Sequence, residues 1–279
     1  MEKEEHGREL SSAELRKIQL DILTAIDEYC SLNHIRYSLA YGSLLGAVRH
    51  KGYIPWDDDI DIFVPRDDYE RLMESFPEGY KGHYNIASLS RDPMYLYPFA
   101  KAYDNDTVLI EHVRDKKNIG VNIDIFPIDN VPDVEQEWKK YDKKRRFNNS
   151  IFRLRFVRLK KSRSIWKNLV LIIINMLTFP ITQRKWSERK NKNAQKYKMQ
   201  PGKYCYDNCN GVYKIPRYKR EWFEQFIRIP FEDREFMAIA DYDECLTTTY
   251  GDYMTPPPVD KRQTKHSFNA YFKNNDRND

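Results

Sequence analysis

Residues 40–65 read AYGSLLGAVRHKGYIPWDDDIDIFVP. Read as a strand, the stretch after Pro55 sends alternate side chains to opposite faces, so Asp57, Asp59 and Asp61 share one side while Ile60, Ile62 and Val64 take the other. One face can bury against a helix; the opposite face carries a row of carboxylates. Lining up like charges costs electrostatic energy unless a cation compensates. Hard oxygen donors of this kind suit Mg2+ or Mn2+, ions that complete their shells with water and substrate phosphates. A D-x-D pair alone is also common as a solvated strand end. Here it follows Gly42 and Ser43 at a strand-to-helix turn, where backbone N–H groups, the Ser hydroxyl and a helix N-terminus can hold a phosphate. An anion cradle followed so closely by carboxylates is a layout for handling phosphoryl groups.

Outward from this block, residues 12–33 predict an amphipathic helix, with Leu15, Ile18, Ile22, Ile26 and Tyr29 at helical spacing and Ser12 as its N-cap. The segment RYSLAYG predicts a short strand ending at Gly42, and SLLGAVRH a helical turn. Pro65 closes the aspartate-bearing strand, and a short polar helix runs from Asp67 to Phe76. TVLIEHV and GVNIDIFPI have the alternation and β-branched content of strands. In the second, Asn122, Asp124 and Phe126 share a face, opposite Val121, Ile123 and Ile125. The C-terminal FEDREFMAIADYDECLTTTYGDYMTPPP places Asp241 and Asp243 before a short helix that Gly251 and three prolines end. The expected fold class is α+β, a mixed sheet flanked by helices.

The 279 residues are 41% hydrophobic and 32% charged, with 10 Gly and 14 Pro, which excludes collagenous, low-complexity and wholly disordered chains. Cys30, Cys205, Cys209 and Cys245 are too few and scattered for a disulfide scaffold, and no second Cys or His pair completes a zinc set around Cys205 and Cys209. The polar, acidic start MEKEEHGREL does not read as a secretory signal, so free thiols and a cytoplasmic location are expected.

Net charge is +5, but unevenly spread. Residues 139–198 hold 20 Lys and Arg against Asp142 and Glu188, a net +18; the remainder holds 27 bases and 40 acids, a net −13. Within the basic segment, LVLIIINMLTFPI (169–181) falls short of the roughly 20 apolar residues a bilayer span needs and is interrupted by Asn175 and Pro180. It reads either as a buried core helix or as an interfacial one. The flanking Lys and Arg suit an anionic cytoplasmic leaflet, so peripheral membrane contact is the favoured expectation. No zinc finger, RNP-like motif or helix-turn-helix accompanies the charge, and nucleic acid is not an expected partner. Three regions follow: a catalytic core over 12–138, a basic, partly apolar helical insert over 139–198, and a segment over 199–279 that packs on the core and completes the acceptor side.

The string GSLLGAVRHKGYIPWDDDIDI (42–62) is similar to the LicD family of phosphocholine transferases, relatives of fukutin-type polyol-phosphate transferases in the nucleotidyltransferase superfamily. NIDIFPID around Asp124 and the C-terminal stretch quoted above match as well, so the likeness covers roughly residues 15–130 and 200–268. It implies a nucleotidyltransferase-like fold. Position by position, it makes Gly42 and Ser43 the phosphate-binding turn, Asp59 and Asp61 the metal-binding pair, and Asp124 a third catalytic carboxylate on a neighbouring strand. Asp57 extends the row as a further ligand. Arg49, Lys51 and Lys101 are candidates for neutralising a diphosphate. Trp56 either stacks on a base or fills the core, with core favoured, and His266 with Arg262 lies in a matching stretch without an assigned role.

The activity implied by the resemblance is Mg2+- or Mn2+-dependent transfer of an alcohol phosphate from a CDP-alcohol donor, CDP-choline favoured, to a glycan or lipid-linked glycan acceptor of lipopolysaccharide or teichoic acid type, releasing CMP. Choline is commonly held by aromatic faces, and 20 Tyr, 14 Phe and 5 Trp supply them without singling out members. Two other readings stand beside it: nucleotidyl transfer with release of pyrophosphate, and a non-catalytic module that binds membranes or polyanions.

Overall fold

The computed structural model describes residues 7–111, 119–157, 164–209, 216–263 and 268–274. Helix α1 (Ser12–Leu32) opens on a capping box one residue earlier than the expected cap: the Ser11 hydroxyl accepts the Glu14 N–H at 3.3 Å and the Glu14 carboxylate accepts the Ser11 N–H at 2.9 Å. Then come β1 (Ser38–Leu39), α2 (Tyr41–His50), β2 (Asp61–Pro65), α3 (Arg66–Ser75), β3 (Tyr84–Ala87), β4 (Ala100–Asp104), β5 (Thr107–Glu111) and β6 (Asn122–Asn130). The basic region forms α4 (Glu135–Phe156), α5 (Ile165–Thr178) and α6 (Gln183–Ala194). The chain finishes with β7 (Tyr204–Tyr206), β8 (Tyr218–Lys219), β9 (Phe226–Phe231), β10 (Arg234–Ile239), α7 (Tyr242–Tyr250) and β11 (Phe268–Phe272).

The central sheet runs β1-β2-β6-β4-β3, with β7 and β8 continuing from the far end of β6. It is mixed: β2 and β6 are parallel, and the other pairs are antiparallel. Hairpin β9–β10 and the pair β5–β11 stand apart from it. This is the α+β, nucleotidyltransferase-like architecture the sequence implies.

Alternation decides what each face meets. Ile60, Ile62 and Val64 join Val121, Ile123 and Ile125 in the main core, packed with the buried stripe of α1 that includes Leu15, Ile22 and Ile26. Phe63, Phe126 and Ile128 point the other way, into a second cluster with Tyr218, Trp222, Phe223 and Cys245 from the C-terminal region. The sheet is therefore covered on both faces, and the polar side chains at its edge share the second face. All four cysteines are buried and free.

Two expectations need correcting, and one of two open alternatives falls away. The first strand ends at Leu39, and Gly42 and Ser43 already belong to the first turn of α2. The strand DDDIDIFVP is laddered only from Asp61; residues 57–60 are irregular, with the Asp57 and Asp58 carbonyls taken by side chains of α1, and the Ile60 carbonyl is the first to accept from β6, from the Asp124 N–H at 2.9 Å. The apolar run 169–181 lies mostly in α5, where Leu171 alone is buried, so it is no core helix. Of TVLIEHV, the first five residues form β5 and the last two lie outside the described residues.

Candidate active site

Asp61 opens β2 and Asp124 lies directly opposite it in the parallel ladder with β6. Lys101 of β4 sits opposite Asp124 on its other side. Cross-strand partners project from the same face, so one edge of the sheet presents carboxylate, carboxylate and ammonium in a row. Lys101 donates to Asp124 Oδ1 and, at 2.9 Å, to Asn122 Oδ1. Just beneath lie Phe63 and Phe126, themselves in register, with Phe99 against Phe126 at 4.6 Å between ring centroids.

The three preceding aspartates reach this edge from the irregular segment. Arg16 on α1 donates to the carbonyls of Pro55 at 3.0 Å and Asp57 at 2.7 Å, and Gln19 one turn on donates to the Asp58 carbonyl at 2.9 Å. So held, Asp57, Asp58 and Asp59 bring carboxylate oxygens within 4.8 Å of one another. Asp58 thus joins the group, which strict strand alternation would have turned away.

The charges feel one another. The Asp61 carboxyl is held well above the usual carboxylate range, first by removal from water, then by Asp59, Asp124 and Asp57; Lys101 pulls the other way. Burial works against the charge on Lys101, but Asp124, Glu111 and Asp61 more than offset it and raise its pKa. Asp57, Asp58, Asp59, Asp61 and Asp124 thus bring five carboxylates to this edge, where Lys101 is bonded to one of them. Such a set fits a divalent cation with oxygen preference.

Ser43 and Gly42 serve this edge from α2. The Ser43 hydroxyl is buried and accepts the Asp61 N–H at 2.9 Å, tying the first turn of the helix to the first residue of the strand. A Cβ on Gly42 would stand 2.4 Å from Asp57 Oδ2, so the missing side chain is what lets that carboxylate approach the helix backbone. Tyr41 turns the chain from strand to helix with φ of 44°, a left-handed conformation costly for a large residue. Its hydroxyl is secured by a 2.7 Å hydrogen bond to the buried Asp207.

Arg49 takes a different place from Lys101. Its guanidinium donates to the Tyr253 carbonyl at 2.6 Å, and its pKa is lowered by burial and then by Arg262. Arg262 in turn lies 5.2 Å over the ring of Trp56, which is half-buried against the main core and borders the aspartates in sequence. Arg49, Arg262 and Trp56 thus form a second, cationic patch. Lys51 is the exposed left-handed cap of α2, and His266 lies outside the described residues. Arg16, Gln19 and Asp58 are the participants that sequence reasoning missed, and Arg262 was noted there without a role. The first two sit on the polar side of an ordinary amphipathic helix, and Arg262 meets Arg49 only through the fold.

Replacing Lys101 by Met leaves Asp61 and Asp124 without their counter-charge. The variant should lose about 3 kcal/mol of stability without divalent ions, the cost typical of removing one partner from a buried pair. Thermal melting with and without Mg2+ measures this, and the ion should raise the melting temperature of the variant more than that of the parent. An equal response in both proteins would mean that Lys101 does not share the charge that the cation offsets.

Comparison with known proteins places this geometry in context. Residues 34–161 match the family described as LicD/FKTN/FKRP, nucleotidyltransferase domain. The chain is similar to the lipopolysaccharide cholinephosphotransferase LicD of Haemophilus influenzae, 31% identical over 278 residues, which cover 95% of this chain and 99% of that protein. It is also similar to an uncharacterised protein of Rickettsia prowazekii, 40% identical over 67 residues, covering 21% of this chain and 25% of the relative. A third relative, from Rickettsia typhi, is 28% identical over 129 residues, covering 43% and 40% respectively.

Proposed function

The chain belongs to the LicD family, and on that premise we propose that it transfers phosphocholine from CDP-choline to a hydroxyl of lipopolysaccharide or a related cell-surface glycan precursor, with release of CMP. The observation that carries this reading is the register of Asp61 with Asp124 beside the Asp57–Asp59 cluster, a carboxylate set suited to a diphosphate and its cation. Asp59, Asp61 and Asp124 would hold a Mg2+ or Mn2+ ion, with Asp57 and Asp58 close by. When bound, such an ion neutralises a diphosphate and the charge that develops on its leaving phosphate.

The chain's own groups account for the rest. Asp124, with one oxygen fixed by Lys101, is the base that accepts the proton of the attacking glycan hydroxyl. As the new O–P bond forms on the choline-bearing phosphorus, the bond to the bridging oxygen breaks and CMP leaves with the electron pair. Arg49 and Arg262 would meet the nucleotide phosphate; their nearness to each other and to Trp56 supports that reading. The rings of Tyr97 and Phe99 lie 5.6 and 5.7 Å from the Lys101 nitrogen. They already face one ammonium, and they supply the kind of surface that a quaternary ammonium takes.

The test is a panel of CDP-choline, CDP-ribitol and CDP-glycerol offered to the purified protein with lipopolysaccharide and Mg2+. CMP should appear with CDP-choline and disappear when EDTA is added. Release of pyrophosphate from a nucleoside triphosphate instead would reassign the protein as a nucleotidyltransferase, and turnover unaffected by EDTA would remove the metal from the mechanism.

A further inference from the structure

We propose that α5 is a membrane-surface anchor that lies in the plane of an anionic bilayer and holds the active site at the lipid boundary. Trp166, Val170, Ile173 and Leu177 follow one another at helical spacing and are 75%, 52%, 46% and 78% exposed. Ile165 and Met176 widen the stripe at 83% and 71%. A continuous apolar band of this kind on a soluble surface marks an interaction site.

Its length settles the mode. Fourteen residues make a helix of about 21 Å, short of the hydrocarbon core of about 30 Å. Among the described residues no single helix is long and apolar enough to cross a membrane; α5 and the helical stretch to Tyr197 reach that length and composition only together, across a bend of 76°. Helix α6 exposes Lys185, Arg189 and Lys192, which belong at a headgroup layer and not inside it.

Charge selects the occupant. The segment that carries α5 has a net +18, so a second copy of the chain would bring like charge against like. A bilayer rich in acidic headgroups offers the apolar depth and the opposite charge together. The anchor is also joined to the chemistry. Arg155 at the end of α4 donates to the Thr178 carbonyl at 2.7 Å and to Gln183 Oε1 at 3.0 Å, clamping the α5–α6 turn. The next residue, Phe156, stacks on Tyr97 with 5.4 Å between centroids and 8° between planes, and Lys101 Nζ lies 5.6 Å from the centroid of the same ring.

Flotation of the full chain with vesicles of phosphatidylcholine, alone or mixed with phosphatidylglycerol, tests the anchor independently of the reaction assigned above. At low salt the protein should float with the mixed vesicles and remain behind with the neutral ones. The double variant Trp166→Glu/Leu177→Glu should bind at least about tenfold less while melting like the parent, since both side chains are exposed. With the unmodified protein, bromine-labelled acyl chains should quench fluorescence that is missing from Trp166→Phe. Absence of flotation, or flotation untouched by the double variant, overturns the proposal. So does a concentration-dependent dimer, seen by sedimentation without vesicles and dissolved by the same variant, because the face then belongs to a second copy.

Discussion

Asp59→Asn and Asp61→Asn are expected to abolish transfer, each by at least about 10³-fold in rate, while the protein stays folded. The magnitude follows from what the two carboxylates do together: losing one removes a hard donor and one negative charge from the group that fits the cation. Asp61→Asn has a second consequence of opposite sign. In the metal-free protein this carboxyl is pushed above its ordinary range by loss of water and by Asp59, Asp124 and Asp57, so keeping it ionised works against folding. A raised folded-state pKa means that the native protein binds more protons than the unfolded chain, and its stability falls as pH climbs from about 4. The Asn variant escapes this. It should therefore melt higher than the metal-free parent at neutral pH, with the difference shrinking as the solution is acidified. Calorimetric melts at several pH values in EDTA read this directly. If transfer survives either substitution at near-parental rate, the carboxylates are not the ligands.

The largest loss of stability is expected from Arg66→Leu. Arg66 opens α3, and its guanidinium grips Asp129 of β6 through two hydrogen bonds, Nε to Oδ1 at 2.7 Å and Nη2 to Oδ2 at 2.9 Å, with both side chains buried. Its remaining nitrogen reaches Asn191 on α6 at 3.2 Å, so one residue joins the core sheet to the basic insert. Removing the arginine strands a carboxylate whose burial already pushes its pKa up. That costs about 3–5 kcal/mol, or a fall of about 6–20 °C in melting temperature for a chain of this size. The double variant Arg66→Leu/Asp129→Leu should recover most of the loss, because two apolar groups of similar volume need no counter-charge. A single variant as stable as the parent would mean that water reaches Asp129.

How far the sequence revealed this can be argued residue by residue. The apolar face of β2 was legible because Ile60, Ile62 and Val64 obey a two-residue period, and the same rule separated Asp124 from Ile123 and Ile125. The register of Asp61 with Asp124 was not, since a parallel pair is set by a long crossover and carries no local signal. Nor could the string of aspartates say where the ladder begins, because D-D-D reads the same as strand or loop; Arg16 and Gln19, forty residues upstream, decide it. Ser43 looked like a phosphate donor and is found bonded to the backbone of the strand beside it. The run in α5 has a composition that a core helix and an exposed one share, and only the neighbours distinguish them.

The two halves of the acidic group differ in mechanical character. Asp124 is laddered on both sides, and Asp61 is laddered to it on one side while its carbonyl accepts the Ala40 N–H on the other, so their separation is fixed with the sheet. Asp57, Asp58 and Asp59 lie in irregular backbone, where Arg16 and Gln19 of α1 bond the carbonyls of the first two, so no strand pairing fixes their spacing. One jaw is rigid and the other compliant. For the cation proposed above, a grip of that kind would accommodate ions of unequal radius, so size alone would discriminate little between magnesium and manganese.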